Sequence, residues 1–337
     1  MSACVYLRAL PDPPGRPGGL PLAGGALRFS EVAVHRRGAP AEVLPADAVG
    51  ALYGEDRLAC LTAARAPLAG LQLDRPNVMG VVNVTPDSFS DGGQHDRVKP
   101  AVAHGLALAA QGADLIDIGG ESTRPGAEPV PVSAEIDRVI PVIEGLVAAG
   151  CPIPISIDTR KAAVADAALT VGAVLFNDVS ALTYDPASIA VKAPAYCLMH
   201  AQGDPRTMQE DPRYQDVLLD IYDFLEARIS AAEAAGIPRA RIVVDPGIGF
   251  GKTMAHNLAL IRGLSLFHDL GCPVLLGASR KRFIGTLSGV SDASKRGPGS
   301  VAAALWGAGQ GAQILRVHDV AETVQALRIW RALQEGT

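Results

Sequence analysis

From residue 77 onward the chain repeats one pattern, and this repetition constrains the fold more than any other feature. Short runs of β-branched and other apolar residues alternate with Ala-rich amphipathic stretches at spacings typical of βα units. The strand candidates are 78–82, 115–118, 153–157, 174–176, 195–199, 242–244, 274–276 and 314–317. Helical candidates lie at 98–111, 134–149, 161–169, 215–235, 256–267 and 320–333. The last of these carries Asp319 at a capping position with Glu322 three residues later. Eight parallel strands, each followed by a helix, close most naturally into an α/β (β/α)8 TIM barrel whose chemistry sits at the carboxyl ends of the strands. An open doubly wound sheet is the alternative.

At 337 residues and 48% hydrophobic content the chain can bury one large core or two modest ones. Its 36 glycines and 4% aromatics favour helices packed closely on strands. One large domain at 75–337 with a small N-terminal extension at 1–74 is therefore expected. Residues 10–25 carry Pro11, Pro13, Pro14, Pro17 and Pro21 among glycines, which reads as a flexible lead. Residues 27–37 show broken period-2 alternation and 47–53 suit a short helix, so the extension reads as weakly specified α/β elements without a catalytic pattern.

A formal charge of −5 provides no broad cationic face, which argues against nucleic-acid or membrane partners and requires any anionic ligand to be held by a local cluster. Cys4, Cys60, Cys151, Cys197 and Cys272 are scattered and form no C-x-x-C pair, as expected of reduced thiols in a cytoplasm. The N-terminal residues lack an apolar segment between a basic start and a cleavage site, so secretion is not expected. The uncharged run 297–315 is mostly Ala and Gly with Gln310 and Gln313 inside it. It reads as a packing helix running into a strand, not as a membrane span.

Polar residues stand at the end of every strand candidate. Asn83 ends the first and opens a loop, 83–93, dense in donors and acceptors with one aromatic, Phe89. Asp117 and the run 119–124 end the second, Asp158 the third, Asn177 and Asp178 the fourth, and Met199 and His200 the fifth. Asp245 ends the sixth, Ser279, Arg280 and Lys281 the seventh, and Arg316 and His318 the eighth. Any one of these could merely cap a neighbouring loop, but in a barrel all eight converge on one mouth. Asp158, Asn177 and Asp245 suit a flat heterocycle offering ring N–H and amino donors, with Lys281 adding a donor. Arg124, Arg316 and His318 fall on the Asn83 side of the ring, because strands eight, one and two are adjacent in a closed barrel. They suit a phosphate or diphosphate.

Three familiar patterns fail. GIGFGKT at 247–253 ends like a phosphate-binding P-loop, but Pro246 occupies the required glycine position and the segment does not follow a first strand. Gly277-Ala278-Ser279 resembles a nucleophile elbow, yet Lys281 replaces the closing glycine. The histidines form no H-E-x-x-H, and His35, His95, His104, His256 and His268 read as surface or core residues.

Over residues 73–333 the chain resembles the dihydropteroate synthase family. The resemblance rests on GVVNVTPDSFSDGG at 80–93, GADLIDIGGESTRPGA at 112–127, SIDTRKA at 156–162, FNDVSAL at 176–182, LMHAQGDPRTMQ at 198–209, DPGIGFGKT at 245–253, LLGASRKRFIG at 275–285 and ILRVHDV at 314–320. It implies a pterin-binding barrel that condenses 6-hydroxymethyl-7,8-dihydropterin diphosphate with 4-aminobenzoate in folate biosynthesis, assisted by Mg2+, and assembled as a homodimer.

By the same resemblance Asp158, Asn177, Met199, Asp245, Lys281 and Arg316 form the pterin pocket. Asn83, Thr123, Arg124, Arg316 and His318 seat the diphosphate, with Asn83 touching the metal. Phe89, Thr123, Pro125, Phe250, Ser279 and Lys281 form the aminobenzoate site, which sulfonamides also occupy in this family. Asn83, Thr123, Lys281, Arg316 and His318 are the catalytic set. The small-residue stretch 299–311 offers a close-packing surface for the homodimer. An inert paralogue or a folate-binding methyl-transfer protein would keep Asp158, Asn177 and Asp245 but lose the loops at 85–93 and 122–127, which are intact here.

Overall fold

A computed structural model describes residues 4–85, 94–122, 128–203 and 207–335. Among them, the chain up to residue 62 forms β1 (Val5–Pro11), β2 (Leu20–Pro21), β3 (Arg28–Arg36), β4 (Glu42–Pro45), α1 (Ala48–Tyr53) and α2 (Glu55–Thr62). The rest forms β5 (Asn77–Asn83), α3 (Gln94–Ala110), β6 (Leu115–Gly119), α4 (Val132–Ala148), β7 (Ile155–Asp158), α5 (Ala162–Thr170), β8 (Leu175–Asp178), β9 (Ala195–Met199), α6 (Val217–Ala234), β10 (Ile242–Asp245), α7 (Met254–Arg262), β11 (Leu275–Leu276), α8 (Arg282–Ser288), α9 (Gly297–Gly309), β12 (Ile314–Val317) and α10 (Val320–Glu335).

Strands β5 to β12 make one parallel sheet in the order β10-β9-β8-β7-β6-β5-β12-β11. A single parallel bridge, Val244 to Val274, with Val244 N–H donating to the Pro273 carbonyl at 2.9 Å, joins the two ends and closes the barrel. The strands are apolar on both faces because the inner face fills the barrel and the outer face carries helices. Asp216 starts α6 by accepting from the Leu218 and Leu219 N–H groups, and Thr253 starts α7 in a capping box with His256.

The βα repeat has two departures. β8 is followed only by a short 3-10 turn, Pro186–Ala190, in place of a helix, and the predicted helix 256–267 breaks after Arg262 into a second 3-10 segment, Leu264–Leu270. The run 297–315 is, as read, a helix leading into a strand. Its small residues pack inward: a Cβ on Gly307 would lie 2.3 Å from the Leu276 side chain, and one on Gly299 would lie 2.4 Å from Ile284.

The N-terminal region is more specific than its composition suggests. β3 pairs antiparallel with β1, β2 and β4, over a core that includes Leu7, Phe29, Val32, Val34, Val49 and Leu61. The Pro/Gly lead leaves β1 and returns as β2, and it is tied down by Asp12, which accepts from Ser30 Oγ at 2.7 Å and Arg16 Nη1 at 3.0 Å. The sheet docks on the 3-10 segment Leu264–Leu270 through Asp269. That buried carboxylate accepts from the Leu7 N–H at 3.0 Å, Arg57 Nε at 2.9 Å and the Tyr222 hydroxyl at 3.1 Å. The following segment has a different role. Leu68, Leu71 and Leu73 join Met79, Leu115, Leu175 and Ile314 in the barrel's inner cluster, so residues counted with the extension on composition form the barrel floor.

Candidate active site

Side chains alternate across a strand, so the barrel interior is built in layers. The lowest layer is apolar: Met79, Leu115, Leu175, Ala195, Val243, Leu275 and Ile314. Two residues further along the same strands stand Val81, Asp117, Asn177, Cys197, Asp245, Gly277 and Arg316, and two further again stand Asn83, Gly119, Met199, Ser279 and His318. Asp158 ends β7 in register with Gly119 on one side and Asn177 on the other. Asn83, Asp117, Asn177, Asp245, Ser279, Arg316 and His318 therefore share the inward parity of the core beneath them and face one mouth. Asp178 and His200 have the opposite parity and turn outward, Asp178 onto the Ser180 and Leu182 N–H groups and His200 against Phe224 of α6.

The deepest polar group is Asp117. Its Oδ2 accepts from Arg316 Nε at 2.6 Å and from Asn177 Nδ2 at 3.1 Å, while its Oδ1 is buried without a hydrogen-bond partner. Arg316 Nη2 also donates to Asp158 Oδ2 at 2.8 Å. Sequence reading places Asp158 with the pterin and uses Arg316 for both pterin and diphosphate. The arginine side chain spans from β12 to β7 and binds the Asp158 carboxylate directly. The Asp158 side chain keeps a narrow opening to solvent at 13% exposure. Burial raises its carboxyl to about 7 despite Arg316, with Asp117, Glu135 and Asp178 adding to the rise.

Asp245 Oδ1 accepts from the Gly247 N–H at 2.7 Å, and its Oδ2 faces Gly277. Burial lifts this carboxyl to about 6, against the Gly247 N–H and the charges of Lys281, Lys252 and Arg316. Lys281 places its Nζ 4.0 Å from the centre of the Phe250 ring. The turn that aims Lys281 inward puts Arg280 at φ 57, a costly conformation for a residue with a Cβ. It is held there from several sides: Arg280 N–H donates to Ser300 Oγ at 2.9 Å, its carbonyl accepts from Arg296 Nη1 at 3.1 Å, and its side chain binds Asp319. The Asp319 carboxylate read as a helix cap is thus engaged with Arg280. Ser279 Oγ accepts from the His318 N–H at 3.2 Å and shares a hydrogen bond with His318 Nδ1 at 3.1 Å. Met199 lines the wall and Asn83 sits half-buried at the rim of β5, beside β12.

A second buried network lies beside the mouth. Glu121 accepts from Val130 N–H at 2.8 Å, Arg160 Nε at 2.9 Å and Lys161 Nζ at 3.0 Å. Lys161 Nζ also donates to Glu135 Oε2 at 2.5 Å and the Val130 carbonyl at 2.7 Å, and Thr159 Oγ1 donates to Glu135 Oε1 at 2.7 Å. Glu121 and Val130 lie on either side of residues 123–127 in the sequence, so the network joins the described residues on both sides. Burial alone would raise the Glu121 carboxyl, but Val130, Arg160 and Lys161 hold it below the ordinary value.

Asp158, Asn177, Asp245, Lys281, Phe250, Ser279, Arg316 and His318 are thus brought to one mouth, with Met199 and Asn83 on its wall and rim. Phe89, Thr123, Arg124 and Pro125 lie outside the described residues. Sequence reasoning missed Asp117 as a binding group and Lys252 as a buried one. For Asp117 the signal was present: a carboxylate in the middle of the apolar run 115–118, at inward parity. Among the described residues no cluster of three His, Cys, Asp or Glu could hold a metal by itself. The rim instead offers the neutral amide oxygen of Asn83. That suits Mg2+, which takes oxygen donors and keeps most of its shell for water and substrate phosphates.

The sequence pattern that defines the pterin binding enzyme family matches residues 79–318. A dihydropteroate synthase of Neisseria meningitidis serogroup C is 48% identical over 267 residues, covering 77% of this chain and 94% of that protein. The solved structure of Xanthomonas albilineans dihydropteroate synthase with 4-aminobenzoic acid superposes with a TM-score of 0.74 at 54% identity, over 79% of this chain and 96% of that one. The same protein in complex with 7,8-dihydropteroate gives 0.71 at 51% identity, over 78% and 95%.

Proposed function

This chain belongs to the pterin-binding enzyme family and is a dihydropteroate synthase, joining 6-hydroxymethyl-7,8-dihydropterin diphosphate to 4-aminobenzoate in folate biosynthesis, and we propose that the two sides of its barrel mouth divide that reaction between them. The observation that carries the division is the inward-facing set Asp117, Asp158, Asn177 and Asp245, a cluster of acceptors at the bottom of a pocket where two carboxyls are raised by burial. A pterin ring presents N–H and amino donors in one plane, and binding it would supply the partner that Asp117 Oδ1 lacks. Lys281 and Arg316 border the same pocket, and Met199 gives it an apolar wall.

The reaction breaks the bond from the pterin methylene to the diphosphate oxygen, and the electron pair leaves with diphosphate. Positive charge then builds on a methylene conjugated with the ring, where Asp158 and Asp245 stabilise it. The leaving anion is met by Arg124, Arg316 and His318, with Thr123 as a further donor. Arg316 ties the two sides together, because the guanidinium facing the anion is anchored on Asp117 and Asp158. Asn83 would hold Mg2+ at this corner, and the bound ion would neutralise charge on the departing diphosphate. The amine of aminobenzoate is neutral at pH 7 and needs no strong base. Its lone pair forms the new C–N bond, and its proton passes to water or diphosphate. Phe250, Lys281 and Ser279, with Phe89 and Pro125, would seat its ring and carboxylate.

We also propose a homodimer acting in the cytoplasm. All five cysteines are free, no described helix is long and apolar enough to cross a membrane, and Trp306, Ile329 and Leu333 are exposed on α9 and α10. Light scattering reading a monomer mass would remove the dimer. The deciding experiment for the whole reading supplies both purified substrates with and without Mg2+. 7,8-Dihydropteroate should form, faster with the ion. No product from active-concentration enzyme would overturn the reading, and equal rates with the ion and with chelator would remove Mg2+ from it.

A further inference from the structure

The segment 247–253 resembles a phosphate loop, yet its lysine is buried against backbone carbonyls and a histidine. Lys252 is 3% exposed, and its Nζ lies 2.9 Å from the Phe250 carbonyl oxygen, 3.3 Å from the His200 carbonyl oxygen and 2.9 Å from His200 Nδ1. Among the described residues no carboxylate pairs with it. Two of its contacts belong to the connection after β9 and one to the connection after β10, so a single amine ties the two together.

The surrounding backbone is built for this approach. A Cβ on Gly247 would stand 1.8 Å from the His200 carbonyl oxygen, and one on Gly251 would stand 2.5 Å from the Gln202 carbonyl oxygen. Gln209 Nε2 donates to the Gly249 carbonyl at 2.5 Å, Tyr214 donates to the Gly251 carbonyl at 2.8 Å, and Gly249 N–H donates to Asn257 Oδ1 at 2.7 Å. The glycines therefore serve close backbone contact between two loops. Burial lowers both basic groups, His200 to about 2 and Lys252 well below the ordinary lysine value. The three contacts around Nζ, two carbonyl oxygens and one imidazole nitrogen, match the three hydrogen-bonding positions a lysine amine offers.

We propose that Lys252 is a positioning residue: it fixes the Phe250 backbone so that the Phe250 ring and the Lys281 ammonium stacked on it form a rigid seat for the aminobenzoate. A well-packed apolar side chain would cost less to bury at this depth. What the amine adds is position. The link runs from Lys252 Nζ to the Phe250 carbonyl, and from the Phe250 ring to Lys281 Nζ at 4.0 Å. Three of the pterin acceptors, Asp117, Asp158 and Asn177, stand on β6 to β8, away from this link, while Asp245 and Lys281 border both halves of the mouth.

This inference rests on the aminobenzoate assignment above, and its test keeps the two apart. Steady-state rates are measured with each substrate varied in turn for wild type, Phe250→Leu, Lys252→Met and Lys252→Gln. Phe250→Leu defines the signature of a lost seat. Lys252→Met should reproduce it, raising KM for 4-aminobenzoate about 10-fold or more while KM for the pterin diphosphate moves less than about 3-fold. Lys252→Gln retains two N–H donors and should recover part of the loss. A folded Lys252→Met that shifts both KM values together, or neither, overturns the proposal. Should Lys252→Met fail to fold, the same split in Lys252→Gln decides. If Phe250→Leu itself leaves the aminobenzoate KM unchanged, the assignment of the seat fails first, and this inference with it.

Discussion

Arg160 and Lys161 follow Asp158 closely in sequence, yet the buried network they build differs from the one Asp158 joins in how fully its polar atoms are used. Around Glu121 and Glu135 every named contact is a short donor–acceptor pair, and the Glu121 carboxyl is held below its ordinary value. Inside the barrel Asp117 keeps one oxygen without a partner, while Asp158 and Asp245 are raised by burial. A saturated network holds its own members in place. An unsaturated one at the same depth is under tension that a ligand can relieve, because unmet buried acceptors cost free energy that substrate donors return.

The largest test of this contrast is Lys161→Met. It leaves Glu121 and Glu135 buried without their shared cation and should destabilise the fold by about 3–5 kcal/mol in denaturant unfolding. A loss below about 1 kcal/mol would mean the network is not what fixes the flanks of residues 123–127. Next in size is Asp245→Ala, where the cost should appear in binding. Pterin affinity by calorimetry should fall by about 2–4 kcal/mol while melting temperature changes little. If the protein instead unfolds more readily with pterin affinity intact, the interior set is structural like its neighbour.

The pH dependence gives a third, smaller measurement. A carboxyl whose folded pKa is raised binds its proton in the folded state first, so its contribution favours the fold at low pH and is lost as pH rises toward about 7. Relative to Asp158→Asn, the ligand-free protein should therefore lose about 1–2 kcal/mol between roughly pH 4 and 7, after discounting for coupling to Arg316. A difference that stays flat or grows would place the Asp158 pKa near or below its ordinary value. Smallest is Arg37→Ala. Arg37 holds Asp220 and Asp223 at 2.6 Å each, geometry as good as that of Lys161, but on the surface. Its removal should cost under about 1 kcal/mol in the same unfolding assay. A cost matching Lys161→Met would show that burial is not what separates these networks.

The barrel was legible because each strand needs its own apolar run and each run announces itself locally. The inward residues were legible because strand parity is a property of sequence: Asn83, Asp158, Asn177, Asp245 and His318 each follow their strand's core positions in fixed alternation. The N-terminal sheet was much less so. β1 is a short run ending at Pro11, and its order comes from pairing with β3 and docking on Asp269, contacts that no local pattern records. The connection after β8, where the sequence offers no helical candidate, is closed by a 3-10 turn at Pro186–Ala190.

Sequence by itself determined the strand count of the barrel, the parity of its mouth and the residue types available there, because these depend on local propensity and on a period of two. Only the tertiary structure decided which of those residues meet. Arg316 reaches across to Asp117 and Asp158, and Lys252 turns from a look-alike motif into the tie between two loops. Long flexible side chains take their direction from whatever acceptors the closed barrel leaves unpaired, and those acceptors exist as a set only once strands distant in sequence lie side by side.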